Sequence, residues 1–320
     1  MSKPVPLLSI IVPCYNEEET LSELYRRLSE ICAPYAGSGY EILLIDDGSK
    51  DGTWNVIRSL HATDARVNGV CFSRNFGHGM ALTAGLELCR GERVLIIDAD
   101  LQDPPELLPA MMRKMDEGAD VVYGKRVSRA GETWFKRVSA RFFYRLLNRI
   151  SDVPMPEDTG DFRLMDRKVV QALKAMPETA RYIRGMVAWV GFKQVPIEYE
   201  RSARFAGATH YTLEKMLRLA LDAITGFSNR PLRLAFYLGV LMLILSILLL
   251  IYVVGSYFLH DTVRGWASLI CILVGTQAIQ WLLIGLIGEY IGRIYQESKH
   301  RPNYIILDTA GTDLTFPSQS

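Results

Sequence analysis

Two aspartates, Asp98 and Asp100, stand at the end of an apolar run, Val94 to Ile97, in the stretch VLIIDADLQDPPE. Their carboxylates are hard oxygen donors. Such donors suit Mg²⁺ or Mn²⁺, ions that keep waters and share the rest of their shell with phosphates. A solvated acidic loop would have the same letters, so the surroundings must decide. The preceding run is apolar and β-branched, as in a strand buried on both faces. Pro104 and Pro105 then open a helix. A buried strand delivering carboxylates to its carboxyl end is how an open α/β sheet presents a ligand site.

The elements that must position these acids follow from the same pattern. Leu8 to Cys14 reads as a continuous apolar strand, stopped by Tyr15-Asn16 and the acids Glu17, Glu18 and Glu19. Acids favour a helix start, and Leu21, Leu24, Leu28 and Ile31 supply the helical period. Glu41 to Ile45 reads as a second strand ending in Asp46-Asp47-Gly48-Ser49, and Thr53 to Leu60 as a short helix. Val70 to Phe72 is a third strand, Gly77 to Leu88 a helix rich in small residues, and Glu106 to about Glu117 another helix before the strand Val121 to Tyr123. Alternating strands and helices mean βαβ units and a mostly parallel, helix-covered sheet. Asp158 to Met165 reads as a loop and edge strand, Asp166 to Met176 as a helix, and Val187 to Tyr199 as an alternating, antiparallel strand. Glu200 to His210 has turn chemistry and few apolar residues, as in a mobile loop.

The 320 residues suffice for one large or two ordinary domains, and the net charge of +1 creates no global field for nucleic acid. The five cysteines include no C-x-x-C pair, which fits a reducing compartment. The amino-terminal run turns acidic too soon for a signal peptide. Leu234 to Leu259 and Gly265 to Gly288 carry no charge, and each exceeds the ~20 residues that cross a bilayer as a helix. The short connector, His260 to Arg264, makes them a hairpin. Arg230 and Arg233 precede it, and Arg293, Lys299 and Arg301 follow it. The positive-inside rule then puts the domain 1–210 and the tail 291–320 in the cytoplasm, with 234–290 spanning the membrane. Between Trp134 and Ile150, Arg137, Arg141, Arg145 and Arg149 recur beside an apolar stripe, as in a helix lying in the lipid interface. A second such helix is expected at 211–233. Gly239, Gly255, Gly275, Gly285 and Gly288 would permit close helix contacts in a homo-oligomer.

The order IIVPCYNEEE, IDDGSKDGT, SRNFGHG, DADLQDPPE, GDFRLMDR and LIGEYIGRIYQESKHRPNY resembles family 2, GT-A-type inverting glycosyltransferases. Within them it is most similar to the polyprenyl-phosphate branch, the dolichyl-phosphate mannose synthases and bactoprenol glucosyltransferases. The resemblance implies a GT-A, Rossmann-like α/β domain plus a two-helix transmembrane hairpin with interfacial amphipathic helices. It implies that Pro13, Tyr15, Asn16 and Glu17 line a nucleotide-sugar pocket on which Asp46 closes. Asp98, Asp100 and Gln102 would hold Mg²⁺ or Mn²⁺ against the diphosphate, and Arg201 and Arg204 would clamp phosphates. Asp161 would lie near the reacting sugar and Arg163 would face the acceptor phosphate. His210 replaces a lysine common in relatives, and His78 sits at a position that varies; neither receives a role.

The implied reaction transfers a sugar, glucose from UDP-glucose, to undecaprenyl phosphate at the cytoplasmic face of a bacterial inner membrane. The lipid-linked product would serve cell-envelope glycan modification, including lipopolysaccharide O-antigen. Mannose, N-acetylglucosamine and 4-deoxy-4-formamido-arabinose are the alternative sugars. A departing diphosphate accumulates negative charge, which a metal ion and arginine forks stabilise. The acceptor phosphate has a second pKa of about 6 and is largely ionised at neutral pH, so Asp161 stands equally as a base or as an ion-pair partner. A processive synthase would carry a Q-x-x-R-W motif, which is absent. A lipid-carrier flippase would need more than two uncharged spans, and a regulatory nucleotide-sugar sensor would not need intact Asp98, Asp100, Asp161 and Arg163.

Overall fold

The structure is a computed structural model that describes residues 5–35, 39–127, 159–178, 181–200, parts of 237–252, and 265–311. The chain divides into two compact units, one of residues 1–145, 153–216 and 301–320, the other of residues 146–152 and 217–300.

The first unit is built on an eight-stranded sheet. Its strands are β1 (Leu8–Cys14), β2 (Tyr40–Asp46), β3 (Val67–Phe72), β4 (Arg93–Ile96), β5 (Val121–Arg126), β6 (Thr159–Asp166), β7 (Gln194–Tyr199) and β8 (Ile306–Ala310). They lie in the order β7-β5-β6-β4-β1-β2-β3-β8. β4, β1, β2 and β3 run parallel, as do β5 and β7. β6 is antiparallel to both β4 and β5, and β8 is antiparallel to β3. Every residue of β1, β2 and β3 is buried, as expected of strands covered on both faces.

Helices cover the sheet: α1 (Leu21–Cys32), α2 (Thr53–Thr63), α3 (His78–Leu88), α4 (Leu108–Asp116), α5 (Arg167–Lys174) and α6 (Ile183–Trp189). In α1 the buried side chains are Leu21, Leu24, Leu28 and Cys32, one stripe at helical spacing. The small residues of α3 have a packing reason. Ala81, Ala84 and Gly85 are buried, and a Cβ added at Gly85 would stand 2.2 Å from Ile11 Cγ2. α3 therefore lies closer to β1 than a larger side chain permits.

Three expectations need correction. Residues 159–166 form an interior strand, not a loop and edge strand, because β4 and β5 pair on either side. Ile183–Trp189 is helical, so the strand near Val187 begins only at Gln194. That strand runs parallel to β5, not antiparallel; its alternating burial reports one covered face, which either direction gives. The tail after residue 291 carries regular structure. It continues a helix to Ser298 and then supplies β8; just ahead of that strand Tyr304 stacks on Phe72 at 4.8 Å and donates to Glu87 at 2.5 Å.

In the second unit, α7 (Trp266–Ser298) is one continuous helix of 33 residues containing the second predicted span. Leu269, Ile272, Leu273, Trp281, Leu282, Ile284 and Ile287 are exposed along it. Among the described residues, no helix is long and apolar enough to cross a membrane. Of the first span, the residues described between 237 and 252 are helical. The expected interfacial helices at 134–150 and 211–233 lie outside the described residues.

Candidate active site

The carboxyl ends of β1 and β2 carry two loops tied to each other. Pro13 is buried within β1, and Tyr15 is 43% exposed just beyond it. Asn16 adopts a positive φ of 56°, and its Oδ1 accepts from Lys50 N at 2.9 Å while its own N–H donates to Ser49 Oγ at 2.9 Å. Glu17 N–H donates to Thr53 Oγ1 at 2.8 Å. Asp46 is buried and accepts from Ser49 N at 2.9 Å, closing the turn after β2. Gly48 sits in that turn with φ of 66°, and a Cβ there would come 2.4 Å from the Arg74 carbonyl carbon. Only glycine fits. Asp47 accepts from Phe76 N at 2.7 Å and Gly77 N at 2.9 Å, which fixes the loop leading into α3. The predicted nucleotide residues Pro13, Tyr15, Asn16, Glu17 and Asp46 thus stand together at one end of adjacent strands.

Asp98 and Asp100 follow β4, as read from the sequence. Asp100 Oδ1 accepts from Gln102 N at 3.1 Å, and Leu101 between them is held at φ of 59°. A non-glycine residue in that region is strained, and such strain concentrates at functional sites. Asp98 Oδ1 is buried and has no hydrogen-bond partner. Burial, reinforced by the carboxylates of Asp161, Asp103 and Asp100 and opposed by His78, pushes the Asp98 pKa up to about 6. A buried carboxylate oxygen left without a donor is costly, and a hard cation relieves that cost. Among the described residues no set of three or more His, Cys, Asp or Glu converges as ligands. A Mg²⁺ or Mn²⁺ ion takes one or two protein carboxylates and completes its shell with phosphates and water, so the pair fits that class of ion.

Asp161 arrives from the neighbouring strand. β6 opposes β4 with Arg163 across from Ile96, so residues before Arg163 extend past the carboxyl end of β4. Asp161 Oδ2 lies 3.3 Å from His78 Nε2, and Asp161 Oδ1 lies 3.3 Å from Arg184 Nε. His78 Nε2 is also 3.8 Å from Asp98 Oδ1, so the imidazole bridges the two predicted acids. Burial opposes ionisation of Asp161, yet the His78 contact and the Arg184 charge hold its carboxyl well below the usual range. Burial likewise opposes the charge on His78, but Asp161 and Asp98 outweigh it and raise its pKa.

Arg163 is 4% exposed, and its guanidinium donates to the carbonyls of Asp161 at 3.2 Å and Gly160 at 2.9 Å. It braces the β6 backbone beneath Asp161. Arg201, Arg204 and His210 lie outside the described residues. Sequence reading gave His78 no role and did not single out Arg184. His78 lay within the quoted SRNFGHG, but nothing local marks a partner 83 residues away.

The sequence matches the family described as Glycosyl transferase family 2 over residues 9–174 and the GtrB C-terminal hairpin over residues 230–294. An uncharacterized glycosyltransferase of Bacillus subtilis is 48% identical over 95% of this chain and 94% of its own. The bactoprenol glucosyl transferase of Shigella phage SfV is 42% identical over 93% of this chain and 97% of its own. A prophage bactoprenol glucosyl transferase homolog of Escherichia coli is 42% identical over 93% and 98%. Among solved structures, glucosyl-3-phosphoglycerate synthase from Mycobacterium tuberculosis aligns at 20% identity and a TM-score of 0.44, over 69% of this chain and 78% of that one.

Proposed function

The chain belongs to glycosyl transferase family 2, a GT-A-type glycosyltransferase, and from that premise we propose that it transfers glucose from UDP-glucose to a polyprenyl phosphate. The observation that carries this reading is the end-to-end likeness to bactoprenol glucosyl transferases, which includes the hairpin as well as the catalytic domain. The acceptor's tail lies in a bilayer and its phosphate in water. A hairpin at 234–290 would hold the enzyme where both are met, in a bacterial inner membrane with the catalytic domain on the cytoplasmic side. The exposed apolar side chains of α7 support that placement.

The geometry supports a division of labour across the sheet. The loops after β1 and β2, with Tyr15, Asn16, Glu17 and Asp46, take the nucleoside. Asp98 and Asp100, with Gln102 beside them, would hold Mg²⁺ or Mn²⁺, which would supply Lewis acidity to the departing diphosphate. Asp161, two residues from Arg163 on β6, faces the reacting sugar. The ionised acceptor phosphate attacks the anomeric carbon as the bond to UDP breaks, so an α-linked donor gives a β-linked lipid. No proton has to leave the nucleophile, since a phosphomonoester with a second pKa of about 6 arrives largely ionised. Exclusion of water matters because water competes as acceptor.

The test uses full-length protein in detergent with Mn²⁺, undecaprenyl phosphate and radiolabelled UDP-glucose. Label should pass into an organic-extractable lipid whose mass equals the acceptor plus one hexose. Label from UDP-N-acetylglucosamine or GDP-mannose instead would change the sugar assignment. No lipid product from any of these donors overturns the reading.

A further inference from the structure

We infer that His78, the first residue of α3, is a donor-sugar contact whose Nδ1 meets a hydroxyl of the transferred hexose; this rests on the proposed transfer of glucose from UDP-glucose. Backbone packing and two acids fix the ring's place. Asp47 accepts from Phe76 N at 2.7 Å and Gly77 N at 2.9 Å, which sets the start of α3. A Cβ at Gly79 would stand 3.1 Å from the Arg181 carbonyl oxygen, so the first turn is also packed close on that side. Nε2 then lies 3.3 Å from Asp161 Oδ2 and 3.8 Å from Asp98 Oδ1. Both neighbours are carboxylates, so Nε2 carries a proton toward them. Nδ1 has no partner among the described residues, and the side chain is 48% exposed. The two nitrogens of an imidazole point apart, so Nδ1 is turned from the acids.

The chemistry on either side names the group that Nδ1 meets. In the proposed reaction the hexose hangs from the diphosphate served by Asp98 and Asp100, and Asp161 faces that sugar. A ring that bridges Asp98 and Asp161 therefore borders the hexose, not the nucleoside over β1 and β2. The fit does not depend on the ring's charge. A neutral imidazole offers a lone pair at Nδ1 and a charged one offers N–H; a hydroxyl donates and accepts, so it pairs with either. Other side chains at these acids are more committed. Arg184 contacts Asp161 Oδ1 at 3.3 Å, donates to the Thr159 carbonyl at 3.5 Å and lies over the Tyr182 ring. Arg126 lies against Gly160, donates to the Tyr199 hydroxyl at 3.3 Å and stands 4.0 Å from the fully buried Asp103. Both guanidiniums offer donors only. Asp161 already holds one cation on each oxygen, and so acts as a positioning residue for His78.

The experiment compares wild type, His78→Gln and His78→Ala as full-length proteins in detergent with Mn²⁺. Gln keeps an amide near the Nε2 position and has nothing at Nδ1; Ala replaces neither contact. In isothermal titration both variants should bind UDP-glucose about 3–10-fold more weakly, the value of one hydrogen bond, and should bind UDP, which lacks the hexose, within about two-fold of wild type. Transfer from UDP-glucose to undecaprenyl phosphate should lose at least the same factor in kcat/KM. Across donor analogues that each lack one hexose hydroxyl, one analogue should bind wild type and variants alike. Unchanged affinity for UDP-glucose, equal weakening of UDP and UDP-glucose, or a loss that persists with every analogue overturns the inference while leaving the function standing. A wild type that transfers no glucose to undecaprenyl phosphate removes the proposed function and this inference with it.

Discussion

Replacing Asp161 by Asn keeps the side chain's shape and deletes its charge. Each carboxylate oxygen of Asp161 holds one cation, Arg184 Nε at 3.3 Å and His78 Nε2 at 3.3 Å. Enclosed hydrogen bonds to charged groups contribute about 1.5–3 kcal/mol each. The partners are 26% and 48% exposed, and solvent screening holds each contact at or below the bottom of that range. Losing both should cost ~2 kcal/mol, a fall of ~4–8 °C in melting temperature for a domain of this size. The deficit should depend on pH. Asp161's depressed pKa means its contribution is complete above the unfolded value of about 3.9 and is lost only as pH falls through the folded value. His78's raised pKa has the opposite sign: its share is complete below about 6.5 and is lost as pH rises through the folded value. The variant's deficit should be largest between about pH 5 and about pH 6.5, then shrink to the Arg184 share. Scanning fluorimetry across that range reads it directly.

Kinetics of the same variant separate anchor from base. A general base contributes about 10²–10⁴ in rate, and works best with a pKa near the operating pH. Asp161 is held far below that, and the phosphate nucleophile needs no deprotonation at neutral pH. Asp161→Asn should therefore keep the acidic limb of the pH–rate profile at about 6, set by the acceptor. Its kcat/KM should fall ~10–100-fold through misplaced partners. An unchanged melting temperature with activity lower by more than about 10⁴ and that limb gone would refute this reasoning and make Asp161 the base.

Asp98→Asn should raise the melting temperature of chelator-treated protein by a few degrees, because it removes a buried charge that has no donor on Oδ1. It should also abolish the stabilisation that Mn²⁺ gives the native enzyme; a metal-induced rise of native size in this variant would exclude Asp98 as a ligand. Tyr199→Phe deletes the hydroxyl that donates to the fully buried Asp103 and accepts from Arg126 Nε at 3.3 Å. A cost of about 1–3 kcal/mol should appear as a lower urea midpoint with an unchanged slope. Gly48→Ala forces a side chain to φ of 66° and into the Arg74 backbone. It should destabilise by at least about 1 kcal/mol and weaken UDP binding in isothermal titration, and a fully native titration would show that the turn relaxes freely.

What the letters reveal and conceal has a physical boundary. β1, α1 and the Val94 run were legible because burial on both faces, or along one stripe, writes itself into local apolar order. The placement of β6 was not. Its Asp161 and Arg163 look like residues of a solvent-facing edge; Arg163 is satisfied by carbonyls of its own strand, but the charge of Asp161 is tolerable in the sheet interior only when distant groups meet it. Those groups are His78, the first residue of α3 after a loop braced by Asp47, and Arg184, from a helix whose short RYIRGMVAW segment shows no sustained period. β8 escaped notice for a related reason: only its ends are shielded, so no alternation marks it.

The motif could name Asp161 without saying why it belongs beside Asp98. The reason is the antiparallel register of β6 on β4. With Arg163 opposite Ile96, going backwards along β6 goes forwards past the end of β4, so the residue two before Arg163 stands beside the one two after Ile96. Had β6 run parallel, the residues past the end of β4 would lie beside those after Arg163, and Asp161 would sit deeper in the sheet. The acids would then be separated and His78 could not touch both. Strand direction, a property of the whole chain's path, thus sets the charge pattern in which Asp98 is pushed up and Asp161 is held down.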